Sequence, residues 1–197
     1  MSELRLQDLK VLHVGPVNLT IKASEIVGLS GESGIGKSLL LRAIADLIPH
    51  QGQVFLDDVS SLQFRAPEWR KQVGLLPAES QWWRDLVGNH FSSRNAELLN
   101  SLGLTEKVFD WQVSRCSTGE RQRLAIARLL ANQPKCLLLD EPTGNLDSEN
   151  TRRVERLVKQ LSEEQAMPVI WVSHSEEQIR RIADRYYVVR DGGVYEK

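Results

Sequence analysis

The chain has 197 residues, with 25 Lys and Arg against 26 Asp and Glu, so its formal net charge is −1, and 41% of its residues are hydrophobic. This length and composition are typical of one globular domain and exclude a disordered chain, a collagen-like repeat and a polybasic nucleic-acid binder. The only cysteines, Cys116 and Cys136, are not closely spaced, so we expect reduced thiols in a cytosolic protein, not a disulfide scaffold or a four-ligand zinc site. We also expect no secretory signal and no membrane-spanning segment, because no apolar run is long enough.

Short apolar runs alternate along the chain with segments of helical periodicity, a pattern typical of a mostly parallel sheet covered by helices. Strands are predicted at residues 4–9, 17–21, 26–30, 54–56, 73–76, 136–140, 169–172 and 186–190. The sequence Asp191-Gly192-Gly193 predicts a tight turn that closes a hairpin after the last of these. The pattern therefore indicates an α/β fold.

Apolar residues recur at helical spacing in three segments. The predicted buried faces consist of Leu40, Ala43, Ile44 and Leu47 in the first helix, Ile126, Leu129 and Leu130 in the second, and Val154, Leu157, Val158 and Leu161 in the third. The first helix begins after Gly36, and Pro49 and Gly52 are expected to stop it. Residues 84–113 show no strand pattern and predict a short helix around Leu98, which indicates a small helical insertion in the α/β body.

Residues 31–38 read Gly-Glu-Ser-Gly-Ile-Gly-Lys-Ser and fit the pattern G-x-x-x-x-G-K-[ST] between a predicted strand and a predicted helix. Glycines let the backbone N–H groups face phosphate oxygens, and the helix N-terminus adds partial positive charge. Lys37 would reach the β- and γ-phosphates, while the Ser38 hydroxyl would lie on a magnesium ion. An ordinary glycine-rich turn is the alternative, which the flanking strand and helix disfavour.

Two carboxylates follow the apolar strand Leu137-Leu138-Leu139. Ligands bind at the carboxyl ends of parallel strands, so Asp140 can hold magnesium. Glu141 can then orient and deprotonate an attacking water as a general base. Taken alone the pair is weak evidence for a catalytic site, because buried strands often end in acidic residues that cap the next loop.

Residues 116–123 read Cys-Ser-Thr-Gly-Glu-Arg-Gln-Arg at the start of another predicted helix. Ser117 and Glu120 have the S-x-x-E spacing of a capping box, and local physics alone favours that interpretation. A capped helix start that bears serine and glycine is also a phosphate receptor. Both interpretations can hold for one segment.

The order of these motifs resembles the nucleotide-binding domain of ABC transporters over nearly the whole chain. Residues 116–120 resemble the family's L-S-G-G-Q signature, residues 142–147 resemble its D-loop, and Val172-Ser173-His174 resembles its switch histidine. The resemblance implies a P-loop NTPase fold, with a mostly parallel sheet flanked by helices, N-terminal antiparallel strands and a small helical subdomain. It implies a single ABC ATPase domain over residues 1–197, with that subdomain inserted at about residues 79–133.

The resemblance also implies a role for each motif. The residues expected to bind ATP are Gly31, Glu32, Ser33, Gly34, Ile35, Gly36, Lys37, Ser38 and Leu39, and those expected to hold Mg²⁺ are Ser38 and Asp140. Glu141 would be the base, and His174 would touch the γ-phosphate and hold Glu141 and water in place. The signature residues Ser117, Thr118, Gly119 and Glu120 would contact ATP bound by a partner subunit, and Asp147 would cross the interface. Without the resemblance, His174 is a histidine near a helix start and Asp147 a helix N-cap.

The implied protein is a cytosolic ATPase subunit that pairs with itself or another ABC domain around ATP and Mg²⁺. It would drive a separate transmembrane permease from the inner face of the cell membrane, with no nucleic acid involved. One alternative is a soluble ABC-type ATPase that remodels a protein or nucleic-acid assembly. Another is a degenerate ATP-binding module without turnover, which the intact motif residues disfavour.

The sequence departs from the family pattern at two places. No aromatic residue precedes Phe55 to stack on adenine, so the region offers only His13 and the aliphatic residues Val11 and Leu12. Ala78 stands where a glutamine is expected, and Gln81 or Glu79 would have to substitute for it.

Four of the five tryptophans lie between residues 69 and 111. Trp69 and Trp111 are candidates for the core of the helical insertion. The adjacent pair Trp82-Trp83 cannot easily bury both rings in one direction, so we expect one ring to face a partner.

Overall fold

Ten strands form two sheets in the computed structural model, which describes residues 2–197; Met1, part of the predicted domain, lies outside them. The strands are β1 (Leu4–Val11), β2 (Val14–Ile21), β3 (Ile26–Ser30), β4 (Gln51–Leu56), β5 (Val59–Ser60), β6 (Val73–Leu76), β7 (Cys136–Asp140), β8 (Val169–Val172), β9 (Arg185–Arg190) and β10 (Gly193–Glu196). One sheet is antiparallel, in the order β2-β1-β4-β5. The other has the order β10-β9-β3-β8-β7-β6, and only β10 runs antiparallel to its neighbour. The α/β fold and all eight predicted strands are confirmed.

The three central strands β3, β8 and β7 are buried along their whole length. Strands covered on both faces require continuous apolar runs, which is why these segments lack alternation. Their carboxyl ends meet at one edge of the sheet, because Leu29 of β3 and Asp140 of β7 both pair with Val172 of β8. The motif residues that follow these strands are therefore brought to the same edge.

Six α-helices pack around the parallel sheet in residues 2–197: α1 (Lys37–Ile44), α2 (Ala66–Gln72), α3 (Ala96–Ser101), α4 (Thr118–Leu130), α5 (Ser148–Glu164) and α6 (Glu176–Ile182). The helices predicted after Gly36, around Leu98, after Ser117 and around Val154 are present. The seven-residue helix α2 was not predicted, because it is too short for a periodic pattern to identify it, whereas α6 begins close to His174, where a helix start was expected. No helix within residues 2–197 is both long and apolar enough to cross a membrane.

The end of α1 differs from the prediction. The helix ends at Ile44, and Leu47 lies beyond it with 49% of its surface exposed. Asp46 has φ 53°, and the amides of Asp46 and Leu47 donate to the carbonyls of Ala43 and Arg42. This is a Schellman ending, which satisfies the last carbonyls of the helix. A left-handed Asp46, rather than Pro49 or Gly52, stops the helix.

Two hydrophobic clusters make up the core. The first lies between the antiparallel sheet, α1 and one face of the parallel sheet, and it contains Trp69, whose Nε1 donates to the Ile44 carbonyl at 2.9 Å. Trp69 therefore belongs to the α/β core and not to the helical insertion. The second cluster joins the segment between β6 and α4 to α4, α5 and the sheet, and the half-buried Trp111 packs against it. The insertion thus shares its core with the neighbouring helices.

Candidate functional site

A cavity of about 350 Å³ lies at the carboxyl edge of the parallel sheet. The residues that line it are Ser33, Gly34, Gly36, Lys37, Ser38, Leu39, Arg42, Ala78, Asp140, Glu141 and His174. They come from the segments that follow β3, β6, β7 and β8. The fold therefore brings the phosphate loop, the Asp-Glu pair and the histidine, which are far apart in the sequence, to one cavity of a size that suits a small-molecule ligand.

Two glycines of the phosphate loop lie where the surrounding atoms leave no space for a Cβ. Gly31 has φ 144° and Gly36 has φ 110°, both in the left-handed region. A Cβ at Gly31 would lie 2.6 Å from the Val189 carbonyl oxygen, and one at Gly36 would lie 2.3 Å from Cγ2 of Val14. A Cβ at Gly34 would meet nothing within 4 Å, so this part of the loop faces open space. The loop leads directly into the N-terminus of α1, where anions are favoured.

Lys37 is a buried cation at the floor of this loop. Its Nζ donates to the carbonyl oxygens of Gly31 and Glu32, both at 2.8 Å, which ties the amine to the loop. Burial lowers the pKa of Lys37, while the carboxylates of Glu141 and Asp140 raise it. These two carboxylates stabilise the cation, and phosphate oxygens would supply further negative charge.

The cavity wall suits a magnesium ion bound together with phosphates. Ser38 offers a hydroxyl and the buried Asp140 a carboxylate, and hard oxygen ligands are those that Mg²⁺ prefers. Within residues 2–197 no cluster of three or more His, Cys, Asp and Glu side chains could hold a metal alone. A two-ligand site fits Mg²⁺, which usually takes its other ligands from water and substrate phosphates.

Glu141 has an unusual backbone and an unpaired oxygen. Its φ of 49° turns the chain out of β7, and strained backbone of this kind clusters at functional sites. Its Oε1 is buried without a hydrogen bond, and Nε2 of His174 lies 3.5 Å away in contact but without hydrogen-bond geometry. Burial raises the pKa of Glu141, and the charges of His174 and Lys37 oppose that rise. A carboxylate with raised proton affinity beside open cavity space can accept a proton from water.

The signature and D-loop residues do not line this cavity. Ser117 is the N-cap of α4, with its Oγ accepting from the Glu120 amide at 3.2 Å and its own amide donating to Oε2 of Glu120 at 2.8 Å. Hydrogen bonding from the Ser117 amide holds the pKa of Glu120 below its usual range. Asp147 is the N-cap of α5 and accepts from the Asn150 amide at 2.8 Å. The capping box and the N-cap are confirmed.

The signature and the D-loop lie beside each other in the folded chain. A Cβ at Gly119 would lie 3.2 Å from the Asn145 carbonyl oxygen of the D-loop. Thr118 and Asn145 line a second cavity, of about 320 Å³, together with the segment that follows β6. Each chain thus presents its signature and D-loop as one surface, apart from the phosphate loop.

Ala78 lies in the wall of the nucleotide cavity, where the family pattern places a glutamine. Glu79 and Gln81 do not line that cavity; both line the neighbouring one of about 320 Å³. The Gln81 carbonyl accepts a hydrogen bond from Nη1 of Arg128 at 3.0 Å, and its side chain is exposed. In this structure neither candidate substitutes for the glutamine inside the cavity.

The candidates for contact with the adenine ring differ in exposure. Val11 is buried at 1% and is unable to contact a ligand, whereas Leu12 is 73% exposed. His13 is exposed as well, and its Nε2 lies 3.2 Å from the Ile35 carbonyl oxygen of the phosphate loop. His13 and Leu12 therefore remain as the candidates.

A cleft of about 550 Å³ lies next to the nucleotide cavity, and Arg42 lines both. Sequence reasoning missed Arg42, although it stands four residues after Ser38 and so on the same face of α1. Trp83, which is 67% exposed, also lines this cleft, while Trp82 is half-buried. Trp83 is thus the exposed ring of the pair, and its contact with a partner stays a prediction.

Comparison with known proteins identifies this arrangement. A family model described as ABC transporter matches residues 14–144, which include the phosphate loop, the signature and the Asp-Glu pair. The methionine import ATP-binding protein MetN 1 of Oceanobacillus iheyensis is 34% identical over 95% of this chain and 61% of its own length. The aliphatic sulfonates import ATP-binding protein SsuB 1 of Rhodococcus jostii is 36% identical over 96% of this chain and 77% of its own length. The chain thus spans about three fifths of the first relative and about three quarters of the second.

Solved structures give the same result. The dimeric structure of a bacterial ABC transporter cassette superposes with a TM-score of 0.80 and 28% identity, covering 98% of this chain and 97% of the cassette. A dimeric post-hydrolysis state of that cassette, bound to ADP and Pi, superposes with a TM-score of 0.79 and 26% identity, covering 100% of this chain and 98% of the cassette. The similarity therefore covers nearly the whole of both chains.

Proposed function

The chain belongs to the ABC transporter family, and on that premise we propose that it is an ATP-binding and ATP-hydrolysing subunit. It dimerises around ATP and Mg²⁺ and drives a separate transmembrane permease. The observation that carries the proposal is the cavity of about 350 Å³ in which the phosphate loop, Asp140, Glu141 and His174 meet. Residues 79–133 form the helical insertion of this single ABC ATPase domain, a division supported by the lack of strands there other than an isolated bridge between Leu86 and Gln112 in the described chain.

Each residue of the site has its own role in ATP hydrolysis. Lys37 and the backbone of residues 31–39 bind the phosphates and hold them in line for attack. Ser38 and Asp140 would hold Mg²⁺, which would offset negative charge on the phosphates. Glu141 orients water and accepts its proton, while His174 holds the Glu141 carboxylate in place from 3.5 Å.

The signature acts on ATP bound by the partner subunit. Ser117, Thr118, Gly119, Glu120 and Asp147 do not line the chain's own nucleotide cavity, which supports an arrangement in which they complete a partner's cavity. The dimeric state of the similar bacterial cassette supports the same arrangement. Each active site then needs two chains, and a dimer with two-fold symmetry makes two such sites.

The permease partner places the chain at the cytoplasmic face of the membrane. The relatives above are named as import ATP-binding proteins for two different cargoes, methionine and aliphatic sulfonates. Because they resemble this chain about equally, we infer that the permease selects the cargo. The exposed Trp83 beside the cleft of about 550 Å³ is the anchor that we assign to the permease contact.

Exchange of the proposed base tests the function. The Glu141→Gln variant removes the proton acceptor and leaves the phosphate contacts, so ATP binding persists while turnover falls by at least about a hundredfold, the lower end of a general-base contribution. ATP should then trap a dimer that size-exclusion chromatography resolves from the monomer. Glu163→Gln, on the exposed side of α5, is the matched control and should hydrolyse ATP like the wild type. Near-normal hydrolysis by Glu141→Gln would show that Glu141 is not the base.

A further inference from the structure

A chain of buried polar side chains lies behind Glu141 and His174. Thr143 belongs to the D-loop segment 142–147, and no role has been assigned above to it, to Gln178 or to Glu155. Nε2 of Gln178 donates to Oγ1 of Thr143 at 2.8 Å and to Oε1 of Glu155 at 2.8 Å. Arg181 holds Glu155 in turn, with its Nη2 2.8 Å from Oε1 and its Nε 3.0 Å from Oε2. Gln178, Thr143 and Glu155 are all buried. Buried polar groups need partners, so this network fixes the positions of the segments that it joins.

The network joins the two segments that carry the catalytic pair. Thr143 follows Glu141 by two residues, at the point where the chain leaves β7. Gln178 follows His174 by four residues. Its backbone N–H donates to Oγ of Ser175, the residue next to His174, at 3.2 Å. A single glutamine therefore connects the segment after Glu141 with the segment after His174.

The same turn is held from its other side by a second buried glutamine. Nε2 of Gln122, in the helix that begins at the signature, donates to the Pro142 carbonyl oxygen at 3.2 Å. Consecutive residues, Pro142 and Thr143, are thus fixed by α4 and by α6. Glu141 precedes this doubly held turn directly, and its strained φ needs surrounding structure to maintain it.

We infer that Gln178 is a positioning residue for ATP hydrolysis, which sets the distance between Glu141 and His174 by bridging Thr143 and Glu155. The inference rests on the proposed function, because it assigns a role within that reaction. Gln178 does not line the nucleotide cavity; it acts through Thr143 on the segment that carries the base. The phosphate loop is not part of the network, so loss of the bridge affects the chemical step and not ATP binding.

The hydroxyl of Thr143 provides the sharpest test. Thr143→Val keeps the shape and removes the acceptor, so we expect kcat to fall about fivefold to tenfold, the effect of one hydrogen bond, while KM for ATP stays within about twofold. Thr143→Ser keeps the hydroxyl and should hydrolyse ATP within about twofold of the wild-type rate. A merely structural role would lower the melting temperature and leave kcat per folded molecule unchanged.

The amide of Gln178 is tested in parallel. Gln178→Met removes both donated hydrogen bonds at similar volume and should lower kcat at least as far as Thr143→Val. The double variant should be no slower than Gln178→Met, because both changes remove the same bond. Gln160→Met is the matched control, since Gln160 also bonds a glutamate, Glu164, at 2.9 Å, but on the exposed face of α5.

Three results would overturn the inference. One is a kcat within about twofold of wild type in both Thr143→Val and Gln178→Met, and another is equal loss in Thr143→Ser and Thr143→Val. The third is a rise in KM with kcat unchanged. Should Gln178→Met fail to fold, the valine and serine variants of Thr143 decide the matter. Absence of hydrolysis by the wild-type chain would instead contradict the proposed function, so the two failures are distinguishable.

Discussion

His13 reaches from the turn between β1 and β2 to the phosphate loop, where its Nε2 lies 3.2 Å from the Ile35 carbonyl oxygen. Beside it, Leu12 is exposed, and the buried Val11 is out of reach. We therefore expect a nucleobase to meet an imidazole or an aliphatic side chain in place of a large aromatic ring. Stacking on an aromatic ring is worth about 1–3 kcal/mol per base in nucleic-acid complexes, and these side chains supply less of it.

This predicts poor discrimination between bases. We expect ATP and GTP to compete for the wild-type chain with affinities within about tenfold of each other, because little of the binding energy depends on the ring. His13→Tyr should raise ATP affinity about fivefold or more by restoring a stacking surface. Displacement of a fluorescent ATP analogue measures both affinities, with Lys37→Ala as the control that loses binding of either nucleotide. A preference of a hundredfold or more for one of the two nucleotides in the wild type would mean that another residue binds the nucleobase specifically.

Some residues of the site could be predicted from the sequence, and others could not. Lys37, Ser38 and the Asp140-Glu141 pair could be predicted, because each stands in a short contiguous motif whose chemistry depends on local spacing. Gln178 and Thr143 stand 35 positions apart and meet only through the packing of α6 on the sheet. No local pattern marks such a pair, so the bridge behind the site emerges only from the fold.

At the scale of elements, the segment after β6 is held by the protein's own side chains. The ring of His90 lies 4.8 Å, centroid to centroid, from the rings of both Trp82 and Trp83, edge to face. Its Nε2 accepts from the amides of Trp83 and Arg84, and its Nδ1 lies 3.1 Å from the Leu86 carbonyl oxygen. Burial lowers the pKa of His90, which favours the neutral ring, the form whose Nε2 can accept these bonds.

Arg128 of α4 completes this support. Its guanidinium lies 4.4 Å from the ring centre of Trp82 and 5.0 Å from that of Trp83. Cation–π contacts of this kind are worth about 0.5–2 kcal/mol each. The exposed ring of Trp83 is thus held rigidly beside the cleft of about 550 Å³, as an anchor with little ordering cost should be.

The anchor predicts a separation between binding and catalysis. Trp83→Ala should leave the ATPase rate of the purified chain within about twofold of wild type, because the ring does not line the nucleotide cavity. It should weaken association with permease-containing membranes by about 2 kcal/mol, or about thirtyfold in affinity. Sedimentation of the chain with membrane vesicles measures this, with the exposed Leu62→Ala as the control. Unchanged sedimentation would contradict the anchor, and unfolding of Trp83→Ala would show that its ring is core.

Helices and strands could be predicted where their apolar patterns are long or the element is fully buried. The ends of elements could be predicted less well where a single residue sets them. The runs that became β3, β7 and β8 were identified to the residue, because complete burial leaves an unbroken apolar stretch. The end of α1 was placed too late, because Leu47 continues the helical spacing although a left-handed Asp46 has already closed the helix. Backbone conformation at one aspartate carries no periodic signal.

At the scale of the whole molecule, the proposed function gives each chain two incomplete halves of an active site. The nucleotide cavity holds the phosphate loop and the base, and a separate surface carries the signature next to the D-loop, with Gly119 beside Asn145. Two chains related by a two-fold axis can join each half to its complement. Turnover per molecule should then rise with protein concentration through the range in which monomers associate.

Mixing two inactive variants tests this sharing. Lys37→Ala breaks the phosphate loop, and Ser117→Arg blocks the signature; each alone spoils both sites of its own dimer. A mixed dimer has one doubly broken site and one intact site, so an equal mixture should recover about a quarter of the wild-type rate, since half of the dimers are mixed and each has one of two sites. Steady-state ATP hydrolysis over a series of mixing ratios should peak near equal amounts. Ser101→Arg in α3 is the control for the arginine itself and should remain active alone. A mixture no faster than its components, under conditions where light scattering shows dimers, would mean that each chain hydrolyses ATP with its own residues only.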